Sequence, residues 1–214
     1  PHVAKALCFL GILYQGLGHY GQAEPLYLRA LYIREQTLGP HHPRLAFCLH
    51  SLGELALEQG KYEQAESFYQ HALRILEQAP NSPQSLMAQL FNGLANLSRE
   101  LSHYEQADAL YQRALSIQQQ HLGPEHLDIA ETLHDLARLR QTQHHDAEAL
   151  LLYQQALAMR EQALGANHPK TSETHERLRA VLGALGKTQE VAGFEGAPPD
   201  HVKAENEHIT PQQQ

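Results

Sequence analysis

A chain of 214 residues, 42% of them apolar and with a mean hydropathy of −0.47, can fold as one array and is too polar for a membrane span. Its 16 Lys and Arg against 24 Asp and Glu leave a formal charge of −8. That balance argues against the clustered basic surface that nucleic acid requires.

One stretch organises the sequence. Gly18-His19-Tyr20-Gly21-Gln22-Ala23 to Ala30-Leu31 returns at Gly60 to Leu73, at Ser102 to Leu115 and, with a weaker start, at His144 to Leu157. Each return comes 42 residues after the last. A fixed period of this size marks a repeat array. Within a copy, Ala23, Tyr27, Ala30 and Leu31 stand at i, i+4, i+7 and i+8, one stripe of a helix. A second stripe lies upstream, and its leucine recurs at Leu10, Leu52, Leu94, Leu136 and Leu178. Beside it stands a small residue, Gly11, Gly53, Ala95 or Ala137. Glycine inside a helix costs about 1 kcal/mol relative to alanine, so the spacing predicts close packing there, against the alanines of the second helix. The unit is helix A, a tight turn and helix B, stacked because neither helix covers its apolar face alone.

In chain order, repeat 1 spans 1–42. Helix A is expected over Val3 to Leu17, a stop at Gly18, and helix B over Gln22 to Leu38. The joint Leu38-Gly39-Pro40-His41-His42-Pro43 pairs a glycine stop with a proline that opens the next helix. Repeat 2 spans 43–84 and ends on Ala79-Pro80-Asn81-Ser82-Pro83-Gln84, a different joint of the same length. Repeat 3, 85–126, has Ser102 in place of the turn glycine. Repeat 4, 127–168, has His144 there and Asp146 in place of the tyrosine, so its turn is expected to be the least well defined. A capping segment, 169–192, opens with one more helix A that sets Leu178, Val181, Leu182 and Leu185 against polar residues, and Thr188 to Phe194 is expected to hold at most a short turn. Residues 193–214 have the composition of a flexible tail. The start at Pro1, in phase with Pro43 of a joint, reads as a fragment with further sequence upstream.

These residues resemble the tetratricopeptide repeat, Leu-Gly-x-x-Tyr followed by Tyr, Ala and Ala-Leu at the same offsets. The usual repeat has about 34 residues. The longer unit with a Gly-Pro-x-His-Pro joint resembles the repeats of kinesin light chain, and similar repeats occur in the sensor regions of bacterial nucleotide-switch (STAND-type) signalling proteins. The resemblance implies an all-α right-handed solenoid of four repeats plus a capping helix, whose A helices line a concave, partner-binding side. By phase, the groove positions are Lys5, His50, Glu54, Gln89, Asn92, Asn96, Arg99, His134 and Arg138. Asn92 and Asn96 are expected to offer donors and acceptors to a peptide backbone, and Arg99 and Arg138 to fork onto an acidic side chain or C-terminus.

Chemistry elsewhere is thin. His42, His126 and His168 share the joint phase, which suits a structural role, and equivalent residues in a solenoid stay too far apart to converge on zinc. There is no phosphate loop, no Gly-x-Ser-x-Gly and no His-Glu-x-x-His, so no enzyme, cofactor or metal is expected. Glu24, Glu66 and Asp108 share one phase and suit a solvated or inter-repeat ladder. Cys8 and Cys48 are assigned to different faces of two helices, which argues against a disulfide, and low cysteine use fits a reducing cytoplasm. The expected function is a non-enzymatic scaffold that takes a protein or peptide partner in the groove. The alternative is the C-terminal sensor region of a larger nucleotide-switch protein, and a third expectation is self-association through the exposed face of the first repeat.

Overall fold

The computed structural model describes residues 2–186. The capping segment beyond Gly186 and the tail expected over 193–214 lie outside the described residues. Within them the chain forms only helices, alternating in type: α1 (His2–Gly16), α2 (Tyr20–Leu38), α3 (Arg44–Glu58), α4 (Tyr62–Gln78), α5 (Gln84–Glu100), α6 (Tyr104–His121), α7 (Leu127–Thr142), α8 (Asp146–Leu164) and α9 (Pro169–Ala184). The odd-numbered helices are A helices, the even-numbered ones B helices. Each packs on its sequence neighbours, α1, α3 and α5 also touch the next A helix, and α7 meets α9 through His134 and Thr174. The result is the solenoid that the period predicts.

The turns inside the repeats explain themselves. At each A/B turn the chain adopts positive φ: 74° at Gly18, 70° at Gly60, 62° at Ser102 and 62° at His144. Around Gly18, the amide of Gly18 donates to the Gln15 carbonyl and that of His19 to the Tyr14 carbonyl. The same pair of bonds recurs at the other three turns, the arrangement that satisfies the last carbonyls of a helix. The turn of repeat 4 therefore keeps the shared geometry, although a histidine bears the left-handed conformation. The joint histidines act as caps: His42, His126 and His168 each accept, through Nδ1, the amide two residues on, at 3.1, 3.1 and 3.2 Å.

The core of each repeat is one tyrosine. Tyr27, Tyr69, Tyr111 and Tyr153 are fully buried, with Ala23, Ala65, Ala107 and Ala149 one turn before them and Ala30, Ala72, Ala114 and Ala156 one turn after. The small residue of helix A faces this ring rather than the alanines expected from the sequence. A Cβ at Gly53 would stand 2.5 Å from the Tyr69 ring, and one at Gly11 2.6 Å from that of Tyr27. Tyr69 is confined on its other side as well, since a Cβ at Gly93 of α5 would come within 2.7 Å of it.

A set of three positions recurs with the period at the junctions between repeats, one on helix A, one on its helix B and one on the next helix A. In repeat 4 it is His134, Arg160 and Thr174. Arg160, 2% exposed, donates to Thr174 Oγ1 at 2.6 Å, to the Lys170 carbonyl at 2.8 Å and to Glu131 at 3.0 Å. His134 Nδ1 stands 3.3 Å from both Thr174 Oγ1 and Arg160. In repeat 3 the set is Asn92, Gln118 and Thr132, with Gln118 donating to Thr132 at 3.0 Å. In repeat 2 it is His50, Leu76 and Leu90, with both leucines buried. In repeat 1 it is Cys8, Arg34 and Cys48. Their sulfurs lie 3.2 Å apart, both thiols buried and free. This corrects the assignment of the two cysteines to faces that do not meet: their positions differ in angle on the helix, but α1 and α3 pack through those two angles. The ladder expected in helix B is partly realised across repeats, with Glu24 on Lys61 at 3.7 Å and Asp108 on Arg140, while Glu66 accepts from Gln70 within its own helix.

Two opposite stability changes test this account. Ser102→Gly relieves a left-handed residue and is expected to stabilise by about 0.5–1 kcal/mol. Gly53→Ala should instead cost about 1–2 kcal/mol despite alanine's better helix propensity, because the Tyr69 ring cannot retreat from α3 without striking Gly93. Urea unfolding measures both. In the same assay Arg160→Met, which keeps volume and removes the buried charge, should cost about 2–4 kcal/mol, since Glu131 keeps only Lys170 as a cationic partner.

Candidate peptide-binding groove

The A helices line an open groove of about 1250 Å³ that runs from Ile12 and Gln15 on α1 to Lys170 on α9. Of the positions named from the sequence, His50, Glu54, Gln89, Asn92, Asn96, Arg99 and Arg138 line it. Lys5 and His134 are placed elsewhere. Lys5 lies over the Phe9 ring and borders a second, smaller cavity. His134 is 3% exposed, held in the contact with Arg160 and Thr174, edge-on to Tyr153 and 3.6 Å from Glu173. The hydrogen bond from His134 lowers the Glu173 carboxyl to about 2, burial working against it.

The groove floor is more internally bonded than the sequence suggests. Its hub is Asp135, a buried residue on α7. Asn92 and Asn96 both donate to Asp135 Oδ2, at 2.9 and 3.0 Å, and Arg138 stands 3.7 Å from Oδ1. Asn96 also accepts the Tyr111 hydroxyl at 2.6 Å. Thus both asparagine amides are engaged across the α5–α7 step. Nor are the two arginines free forks: Arg99 pairs with Glu100 at 2.8 Å and Arg138 with Asp135. Gln89 donates to Asp128 at 3.1 Å. Asp135 escapes a sequence reading because its phase, shared with Phe9, Ser51 and Gly93, falls between the groove stripe and the core stripe.

Four buried polar atoms of residues that line the groove make no hydrogen bond: the Tyr69 hydroxyl, Asn92 Oδ1, Arg99 Nε and Gln118 Oε1. The first has a plain cause. The other repeat tyrosines donate to residues on their own helix A, Tyr27 to Gln15 at 2.8 Å, Tyr111 to Asn96 and Tyr153 to Gln141 at 3.3 Å. In repeat 2 the position equivalent to Gln15 is Leu57, and the next helix A presents Gly93. The position equivalent to Asn96 is Glu54, which stands by His50 instead, and the Tyr69 phenol is pushed above its ordinary value by burial and then by the charges of Glu54 and Glu58.

At the α1–α3 end the groove is acidic. Tyr27 orients Gln15, whose Nε2 donates to Glu58 Oε1 at 2.9 Å. Burial raises the Glu58 carboxyl above the usual range, the Gln15 bond opposing it and the Glu54 charge adding to it. Glu54 has the His50 imidazole at 3.5 Å. Neither carboxylate has a Lys or Arg partner among the described residues. Over the whole groove, six lining carboxylates stand against four Lys and Arg, so the surface is net negative.

The comparisons with known proteins follow the fold. The family model of the tetratricopeptide repeat matches residues 2–78 and 86–162. No curated protein matches the chain. Among solved structures, BtubC (BKLC) from P. vanneervenii is 25% identical, with a TM-score of 0.72, over 97% of this chain and 87% of that one. A Podosopora anserina structure of nearly identical TPR-like repeats of kinesin-light-chain type is 22% identical, with a TM-score of 0.65, over 91% and 92%. A Rap protein complexed with competence and sporulation factor is 17% identical, with a TM-score of 0.74, over 88% and 50%. The last two likenesses are of fold. No described helix is long and apolar enough to cross a membrane. With its period, its helix pairs and the matched model in agreement, the chain belongs to the tetratricopeptide repeat family, in the extended form seen in kinesin light chain.

Proposed function

We propose that this protein is a non-enzymatic scaffold that binds an extended segment of a partner along the groove of the A helices. The observation that carries the reading is the groove itself, an open channel of about 1250 Å³ with polar atoms in its floor that the fold leaves without partners. Stacked repeats make such concave surfaces for binding. The Rap relative is itself complexed with a factor, which adds support.

The charges favour one kind of segment. Because Arg99, Arg138, Arg160 and Lys170 are each matched by a carboxylate of the protein, an acidic partner would have to break existing ion pairs. Glu54 and Glu58 have no such match. The groove therefore takes a segment whose Lys or Arg lies against Glu54 and Glu58, the reverse of the acidic preference expected from Arg99 and Arg138 alone. Lys5 and His134 sit outside this contact.

A selection from a random peptide library tests the reading. Enriched peptides should carry a Lys or Arg at one fixed position, and Glu54→Gln with Glu58→Gln should weaken their binding about tenfold, or about 1.4 kcal/mol. Protonated Glu58 no longer attracts a cation, so affinity should fall on acidification, starting above the ordinary glutamate range because the carboxyl is raised. Equal binding by the double variant would remove the acidic end from the site. Failure to select any peptide would remove the groove reading altogether.

A second observation favours self-association. On α1, Leu10 is 41% exposed, whereas its equivalents Leu52, Leu136 and Leu178 are 1–3% exposed beneath the preceding helix B. Val3, Phe9, Leu13 and Leu17 are exposed beside it. We infer that two copies place these self-complementary faces together about a two-fold axis. Sedimentation equilibrium should then show a dimer that Leu10→Asp with Leu13→Asp dissociates. A wild-type monomer at every concentration would end the idea.

A further inference from the structure

The contact between repeats 1 and 2 differs in kind from the three that follow. Where the later junctions hold a histidine and a threonine, an asparagine and a threonine, or a histidine and a leucine, this one holds two thiols 3.2 Å apart. A disulfide spans about 2 Å, so the sulfurs need approach by only about 1 Å to bond. Cys8 belongs to α1, which packs on α2 and α3, and Cys48 belongs to α3, so a bond between them would join two helices already in contact.

The pair is only 0–1% exposed, and its one approach among the described residues is through a cavity. Cys8 lines the smaller cavity, of about 500 Å³. Lys5, Arg34 and Arg44 border that cavity together with Phe9 and Phe47, and no Asp or Glu borders it. In a chain of net charge −8 this is a local reversal of sign. Arg34 also occupies the B-helix position of the junction contact, and its guanidinium lies over the Phe47 ring, 5.7 Å from the centroid. The hydrogen bond from Cys48 draws the Cys8 thiol below its ordinary value, burial opposing and the Arg34 charge assisting, while the Cys48 thiol is pushed up. One thiol is thus prepared to attack and the other to resolve.

We propose that Cys8 and Cys48 form a thiol–disulfide exchange site that accepts small anionic disulfides, of the glutathione disulfide class, from this cavity and closes to an intramolecular disulfide between α1 and α3. The Cys8 thiolate attacks one sulfur of the small disulfide. A Cys8–S bond forms, the S–S bond of the reagent breaks, and the leaving thiolate takes up the proton that Cys8 released. Cys48 then loses its proton and attacks the Cys8 sulfur, expelling the second small thiolate, which is protonated in turn. The two protein thiols are oxidised by two electrons, and the reagent is reduced to two thiols. Closed, the bond joins positions 40 residues apart and fixes α1 to α3.

The reduced full-length chain, exposed to glutathione disulfide at pH 7, quenched with acid and read by intact mass, tests the proposal. The wild type should lose two hydrogens, retain no glutathione and gain several degrees in melting temperature. Cys48→Ser should stop at one glutathione on Cys8, and Cys8→Ser should stay unmodified. A neutral disulfide, bis(2-hydroxyethyl) disulfide, should react about tenfold more slowly, and Lys5→Ala with Arg44→Ala should erase that difference. Reduced variants that melt with the wild type establish that folding is intact. Thiols that react only in urea, or a wild type that retains glutathione without closing, would overturn the assignment.

Discussion

A phenol ring between two helices sets the dimensions of this molecule. In every repeat the tyrosine of helix B is fully buried, and in repeat 2 it is wedged between glycines on two successive A helices. Ring thickness then fixes how closely helix A approaches its own B helix and the next A helix. Close-packed interiors transmit such a constraint with little slack. Because the ring recurs every 42 residues, the same step is repeated and the array propagates. The alanines one turn either side of the ring serve the same contact, since a larger side chain there would lever the helices apart.

The polarity of the groove follows from that packing. A buried tyrosine brings its hydroxyl to the A-helix side, where it needs an acceptor. Gln15, Asn96 and Gln141 supply one in repeats 1, 3 and 4, and Leu57 does not in repeat 2. The one repeat tyrosine among the described residues whose hydroxyl is orphaned therefore lies midway along the groove, near the acidic pair on α3. What looks like a binding feature begins as a gap in an otherwise periodic scheme of satisfied tyrosines. Periodicity builds the scaffold, and departures from it distinguish the candidate groove.

This division explains what a single sequence could disclose. The period gave helix pairs, turn positions and the stripe that faces the groove, because these depend only on angle around each helix axis. His50, Glu54 and Asn92 were legible on that basis. Partners across a junction were not. Asp135 gathers Asn92, Asn96 and Arg138 from a phase between the stripes, and Cys8 meets Cys48 although the two stand at different helical angles. His134 shares its phase with Asn92 and is nevertheless buried, because Arg160 and Thr174 close over it. Such contacts depend on how far one helix is shifted along another, which residue spacing within a helix does not encode. The glycines were likewise read as necessary for packing, but the ring they accommodate was visible only in three dimensions.

The dithiol and the acidic end of the groove occupy the same pair of helices. Cys8, midway along α1, meets Cys48 in the first turns of α3, while Gln15 of α1 and Glu58 of α3 meet at the C-terminal ends of both helices. A helix fixed at one point can still swing about it, whereas one fixed at two points cannot. A disulfide at the first contact therefore holds Gln15 against Glu58 at the second. The Gln15 bond is the largest influence that favours the charged form of that carboxylate, against burial and the Glu54 charge. The bond is already made in the dithiol form, and closing the thiols would restrict the motions of α1 that break it, keeping Glu58 suited to a cationic side chain. The coupling needs no long pathway, because α1 and α3 carry both contacts. In physical terms, the oxidised chain should be the better binder of a basic segment, and the two chemistries should respond together to any change that displaces α1.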